Sequence, residues 1–222
     1  MPQPPVPLRF CATFEPSTLV QGTLLRVEQL SKAFTADRPL FQAMSFELAP
    51  HDRLLISGAN GAGKSTLLRI LAGAVPPDTG TFCWHPHAIV GYLAQEDQCP
   101  NDDRTVLQHY RTGRIGYPQD HERELLTYGL VAPEDLHRPV RLLSVGQRRK
   151  LALACLLAQQ ANVLLLDEPT NQLSLELAEQ LEQALDVFTG AIILVTHERW
   201  LIEHFCAMHC QIAHGQLQRT MI

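Results

Sequence analysis

Glycines, a lysine and a hydroxyl crowd into one octet of the 222-residue chain, Gly58-Ala59-Asn60-Gly61-Ala62-Gly63-Lys64-Ser65. It meets every fixed position of the phosphate-binding loop G-x-x-x-x-G-K-[ST]. Glycine lets a backbone wrap a phosphate with its N–H groups pointing inward, where side chains would obstruct. Lys64 is placed to reach the β- and γ-phosphates of a nucleoside triphosphate and the Ser65 hydroxyl to bind Mg²⁺, while Asn60, Gly61, Ala62 and Thr66 complete the nucleotide-contacting run. A second stretch, Val163-Leu164-Leu165-Leu166-Asp167-Glu168, is apolar until it ends in two carboxylates. A strand of that kind delivers its last residues to the C-terminal edge of a sheet, where α/β folds bind ligands. Asp167 is expected to hold Mg²⁺ through water, and Glu168 to orient and deprotonate an attacking water. Alone, Asp-Glu after an apolar strand is equally a strand-to-loop cap. In one chain with a phosphate-binding loop it reads as part of a Mg-ATP site.

A third stretch, Leu143-Ser144-Val145-Gly146-Gln147, opens a helical pattern. Ser144 at the N-cap, the free N–H groups behind it and the positive end of the helix dipole together make an anion site. In isolation these five residues are also compatible with an ordinary capped helix.

The elements that must position these residues follow from periodicity. Residues 24–30 and 44–48 alternate as half-buried strands and predict an antiparallel lobe. Residues 54–57 form an apolar strand running into the glycine loop, with a helix over 66–72, the strand–loop–helix order of a phosphate-binding unit. Further strands are expected at 88–93, 163–166 and 191–195, the last two apolar throughout, as central parallel strands are. Helices are expected within the polar stretch 101–141, including 121–128, then over 145–160 and 174–187. The tail alternates over 210–218 around His214-Gly215, a hairpin signal. Residues 1–21, with five prolines, read as an extended arm. The expectation is one α/β domain over 22–222, with a mostly parallel core sheet, an antiparallel β lobe and a small helical subdomain at about 96–160.

Composition narrows the functional classes. The net charge is −5 and the pI about 6.0, so no bulk basic field draws the chain to nucleic acid, and direct DNA binding is not expected. No apolar run approaches bilayer length, and no signal-peptide core follows the N-terminus, which suggests a cytoplasmic protein. The six cysteines show no disulfide-framework spacing. His204, Cys206, His209 and Cys210 match no standard zinc spacing, and the apolar residues among them suggest packing.

The order of the motifs resembles the ATP-binding cassette (ABC) family, whose signature reads Leu-Ser-Gly-Gly-Gln; here Val145 replaces a glycine, a change tolerated where φ is negative. The resemblance spans about 24–218 and implies a P-loop ATPase using ATP and Mg²⁺. In that family the signature of one cassette caps the γ-phosphate held by another in a head-to-tail pair, so Ser144, Gly146 and Gln147 are implied nucleotide contacts and a second cassette an implied partner. Gln95 matches the loop residue that senses the γ-phosphate and metal. His197 matches the switch histidine that positions Glu168 and its water. Phe34 is placed to stack on adenine, with Phe41 in reserve; each phenylalanine is otherwise a core residue. Ser174 stands where the usual cassette has an aspartate that couples the two sites. Glu168-Pro169-Thr170-Asn171-Gln172-Leu173 and Thr196-His197-Glu198-Arg199-Trp200-Leu201 look most like the second cassette of ABC-F proteins, soluble members that act on ribosomes and in antibiotic resistance. That resemblance implies a soluble ATPase with the ribosome as partner. The alternatives are the energy subunit of a membrane transporter, paired with a transmembrane subunit, or a weakly hydrolysing nucleotide switch or solitary remnant cassette.

Overall fold

The computed structural model describes residues 13–14, 16, 21–35, 38–95, 103–198, 201–202 and 208–220. They fall into two compact units. One carries 16, 21–95, 159–169 and 188–220 without the residues just excepted; the other carries 13–14, 103–158 and 170–187.

The first unit is built on two sheets. Strands β1 (Leu25–Thr35), β2 (Arg38–Leu48) and β4 (Thr79–Trp84) form an antiparallel sheet in the order β2-β1-β4. Strands β3 (Arg53–Gly58), β5 (Val90–Leu93), β6 (Val163–Asp167), β7 (Ala191–Val195), β8 (Met208–Ala213) and β9 (Gln216–Thr220) form a six-stranded sheet in the order β5-β6-β7-β3-β8-β9. All of its pairings are parallel except the β8–β9 hairpin. Every residue of β6 and β7 is buried, which is why both read as unbroken apolar runs rather than alternating ones. Helix α1 (Lys64–Leu71) buries Leu67, Leu68, Ile70 and Leu71 in a core shared with Leu25, Val27, Phe41 and Leu48 of the antiparallel sheet and Leu54, Ile56, Leu165 and Ile193 of the parallel one.

Register aligns the ends of the parallel strands. Leu93 is paired with Leu166, Leu166 with Leu194, and Ile56 with Val195. The segments leaving β3, β5, β6 and β7 therefore emerge at one edge, and they carry the glycine loop, Gln95, Glu168 and His197.

The second unit is helical: α2 (Val106–Tyr110), α3 (Pro118–Thr127), α4 (Val145–Leu157) and α5 (Leu175–Val187), with short 3-10 turns at Pro133–Asp135 and Val140–Leu142. Arg114 ties its interior together, donating to both carboxylate oxygens of Glu124 at 2.9 and 2.7 Å and lying 4.5 Å over the Tyr110 ring.

β1 and β2 run longer than their alternation suggests, and β4 has no counterpart in the sequence reading. The hairpin expected around His214-Gly215 is present, both turn residues having positive φ (50° and 76°), the geometry that matches strand twist. Of the cysteine and histidine cluster, His204 and Cys206 lie outside the described residues, Cys210 is buried in the core, and His209 Nε2 lies 2.8 Å from Ser57 Oγ.

Candidate functional site

The glycine loop connects β3 to α1 and is shaped by close approaches that exclude a side chain. A Cβ on Gly58 (φ 145°) would stand 2.7 Å from the Ile212 carbonyl oxygen of β8. One on Gly63 (φ 98°) would meet the Phe41 ring at 3.0 Å and Leu40 at 3.3 Å. Gly63 is the N-cap of α1, and no side chain occupies the cap, so the first N–H groups of the helix stay open to an anion. The loop curls over Lys64, whose Nζ donates to the carbonyls of Gly58 at 2.8 Å and Ala59 at 3.1 Å. Only 7% of Lys64 is exposed. Burial pulls its ammonium below the ordinary value, opposed by the nearby charges of Glu168 and Asp167.

Those two carboxylates end β6. Asp167 is buried, paired with Val195 in the sheet. Glu168 comes next, in the left-handed region (φ 47°), its N–H bonded to the Val195 carbonyl at 2.8 Å. Its side chain is buried too, with Oε1 3.5 Å from His197 Nε2 and Oε2 accepting weakly from the His197 N–H at 3.4 Å. Burial raises the Glu168 carboxyl, as does Asp167; His197 and Lys64 pull the other way, with burial the largest influence. His197 itself is 57% exposed at its side chain, so it touches Glu168 while keeping an open face. Gln95 is exposed two residues beyond β5 and comes out level with Glu168. Lys64, Asp167, Glu168, His197 and Gln95 are thus gathered at one edge of one unit.

Ser65, Asp167 and Gln95 offer a hydroxyl, a carboxylate and an amide, with no thiolate or imidazole. That oxygen-only set suits a small hard dication such as Mg²⁺, so these residues fit the metal expected here. A cleft of about 460 Å³ flanks the loop, lined by Pro39 and Leu40, by Gly61 and Ala62, and by the β8–β9 turn at His214.

The Phe34 side chain lies outside what the structure describes. Phe41 is a correction: it is fully buried beneath Gly63, so its ring supports the loop and has no face to offer a base.

In the helical unit, Ser144 caps α4 with φ −66° and ψ 162°. Its Oγ accepts from the Gln147 N–H at 3.2 Å, and its own N–H donates to Gln147 Oε1 at 2.9 Å, a reciprocal capping box. Gln147 Nε2 in turn donates to Asp135 at 2.9 Å. The glutamine is therefore occupied by structure, and the capping box leaves the Ser144 hydroxyl hydrogen and the N–H groups of Val145 and Gly146 unused. Val145 is the first helical residue and has no positive φ, so its side chain is accommodated without strain. Ser174 is exposed just before α5, its carbonyl accepting the Ala178 N–H at 2.9 Å.

Sequence reasoning missed Asp135, which holds Gln147, and Tyr92 of β5, whose buried hydroxyl makes no hydrogen bond within the protein. Nothing local marks Asp135. Tyr92 is three residues before Gln95, close enough to the site to have drawn notice.

The family model described as ABC transporter matches residues 41–171. The tylosin resistance ATP-binding protein TlrC of Streptomyces fradiae is 44% identical over 168 residues, 76% of this chain and 30% of that protein. The energy-dependent translational throttle protein EttA of Haemophilus influenzae is 34% identical over 192 residues, 85% of this chain and 34% of its own length. The chain thus spans about a third of these curated relatives. Among solved structures, a dimeric post-hydrolysis state of the ATP-binding cassette MJ0796 with ADP and Pi superposes with a TM-score of 0.74 at 18% identity, covering 88% of this chain and 97% of that one. At that identity the likeness speaks to the fold.

Proposed function

The chain belongs to the ATP-binding cassette family, and from that premise we propose that it binds Mg-ATP against a second cassette and hydrolyses it, as the ATPase part of an ABC-F-like cytoplasmic protein acting in translation or antibiotic resistance. The observation that carries this is Glu168, buried, its carboxyl raised above the ordinary value, and in contact with His197 at the edge where Lys64 closes the glycine loop. ABC-F-like action is supported by the Glu-Pro-Thr-Asn-Gln-Leu run and by relatives whose names concern tylosin resistance and translational throttling.

The residues divide the work by chemistry. Loop N–H groups and the α1 terminus hold the β- and γ-phosphates, and Lys64 exchanges its carbonyl partners for phosphate oxygens as they arrive. Glu168 accepts a proton from the water as that water attacks the γ-phosphorus and the bond to the ADP oxygen breaks. His197 holds Glu168 on one side and turns its open face to the γ-phosphate. Ser65, Asp167 and Gln95 would hold Mg²⁺, which when bound neutralises charge on the β- and γ-oxygens. The Ser144 hydroxyl and the N–H groups behind it, on the second cassette, are suited to the charge that develops on the transferred phosphoryl group.

The test is Glu168→Gln, made in the full chain and loaded with ATP in host lysate. The expected result is a long-lived ATP-bound dimer that sediments with ribosomes. Sedimentation with membranes would replace the ribosomal reading with a transporter one, and wild-type hydrolysis by the variant would remove Glu168 from its role as base.

A further inference from the structure

Tyr92 is a buried polar group near the site that takes no part in the proposed hydrolysis. It stands on β5 opposite Leu165, two residues before Asp167 on the neighbouring strand. Directly opposed residues in a parallel pair share a face, as do alternate residues along a strand. Tyr92 and Asp167 therefore lie on the same side of the sheet. That side is the α1 side, for Tyr92 and Leu165 pack against the core to which Leu67, Leu68 and Leu71 belong. On α1, Arg69 comes one helical turn after Ser65 on the same face.

Burial first, and the Asp167 charge second, push the Tyr92 phenol up, while Arg69 is close enough to pull it the other way. Arginine can only donate, so it offers the phenolic hydrogen no acceptor. That hydrogen finds no acceptor within the protein. Buried polar groups near carboxylates are satisfied through water when no side chain reaches them. The hydroxyl thus belongs to the sheet face that carries Asp167 and turns toward α1.

We propose that Tyr92 is a positioning residue of the metal site: its hydroxyl donates to a water of the Mg²⁺ hydration shell that Asp167 also holds, with the Arg69 guanidinium lying near the phenol. The inference rests on the Mg-ATP reading and adds an outer layer to it. Small divalent magnesium keeps several of its waters, and groups that orient such waters set affinity as much as direct ligands do. The ring of Tyr92 packs in the core, so removing the hydroxyl alone leaves packing in place.

The experiment compares Tyr92→Phe with wild type in the full chain. A fluorescent ATP analogue is titrated in the presence of EDTA, and Mn²⁺ is then titrated into the nucleotide-loaded protein and its binding read by electron paramagnetic resonance. The expected outcome is unchanged metal-free nucleotide affinity with metal half-saturation raised by about tenfold. An unchanged metal midpoint overturns the proposal, as does an equal loss of metal-free nucleotide binding, which would mark Tyr92 as merely structural. If Tyr92→Phe does not fold, Arg69→Gln carries the same comparison with the same two outcomes. Failure of the wild type to bind metal with nucleotide would sink the Mg-ATP reading itself, a result distinct from a failure confined to the variant.

Discussion

Glu168 is held in a conformation that a residue with a side chain seldom adopts, and its carboxylate is buried against Lys64, Asp167 and His197. A left-handed non-glycine residue costs about 1–3 kcal/mol, and a raised carboxyl adds a cost of its own that depends on pH. Because the folded carboxyl titrates above its unfolded value of about 4.3, its stabilising contribution is complete below that value and is lost as pH rises through the folded one. Glu168→Gln removes the ionising group. It should raise the unfolding midpoint at neutral pH by on the order of a few degrees, with the gain vanishing below about pH 4. Thermal unfolding of the nucleotide-free protein at both pH values checks this. A gain of equal size at both would mean that ionisation of Glu168 is not what destabilises the fold.

The same scale shows what a sequence can and cannot disclose. Lys64, Asp167 and Glu168 could be named from their own motifs, and Gln95 and His197 through the resemblance, each just after a strand. Phe41 could not be judged, since its burial under Gly63 depends on a contact between residues 22 positions apart (63 − 41). Tyr92 was hinted at only by its nearness to Gln95, since it is strand pairing that sets it two residues before Asp167 on the neighbouring strand.

At the level of elements, patterning worked where burial was uniform. β6 and β7, buried along their whole length, and the capped entry to α4 were all legible. The antiparallel sheet was legible only in pieces. Gln29 and Ala43 take positive φ (50° and 51°), and the β1–β2 register shifts between Val27 and Leu30 and again beyond it. Bulges of that kind break the period of two on which a strand reading depends. β4 has no fully buried residue, and only Phe82 and Trp84 alternate toward the core, too short an alternation to mark a strand. The α4 cap offers a test at this scale. Ser144→Ala should cost about 1 kcal/mol of stability, and Ser144→Asn, which retains a capping acceptor, should recover most of it. Urea denaturation of the three proteins decides, and coincident midpoints for wild type and Ser144→Ala would show that the capping box adds nothing.

For the whole molecule, the unused donors of Ser144, Val145 and Gly146 and the glycine loop belong to different compact units. The proposed head-to-tail pairing sets the donors of one copy against the loop of another. ATP turnover per chain should therefore rise with protein concentration in dilute solution and level off once pairs dominate, with mass measured by light scattering rising in step. A flat rate over that range with monomer mass throughout would remove the need for a second cassette. Among the described residues, no helix is long and apolar enough to cross a membrane.

By motif alone, the stretch after His197 would look expendable. Yet β8 lies alongside β3, the Ile212 carbonyl is the surface on which Gly58 rests, and the Gly215 carbonyl takes the Gln42 N–H at 2.7 Å, joining the hairpin to β2. The cradle is braced from behind by strands synthesised after every residue proposed to grip phosphate. A nascent chain would display those residues before the strands that back them have been made.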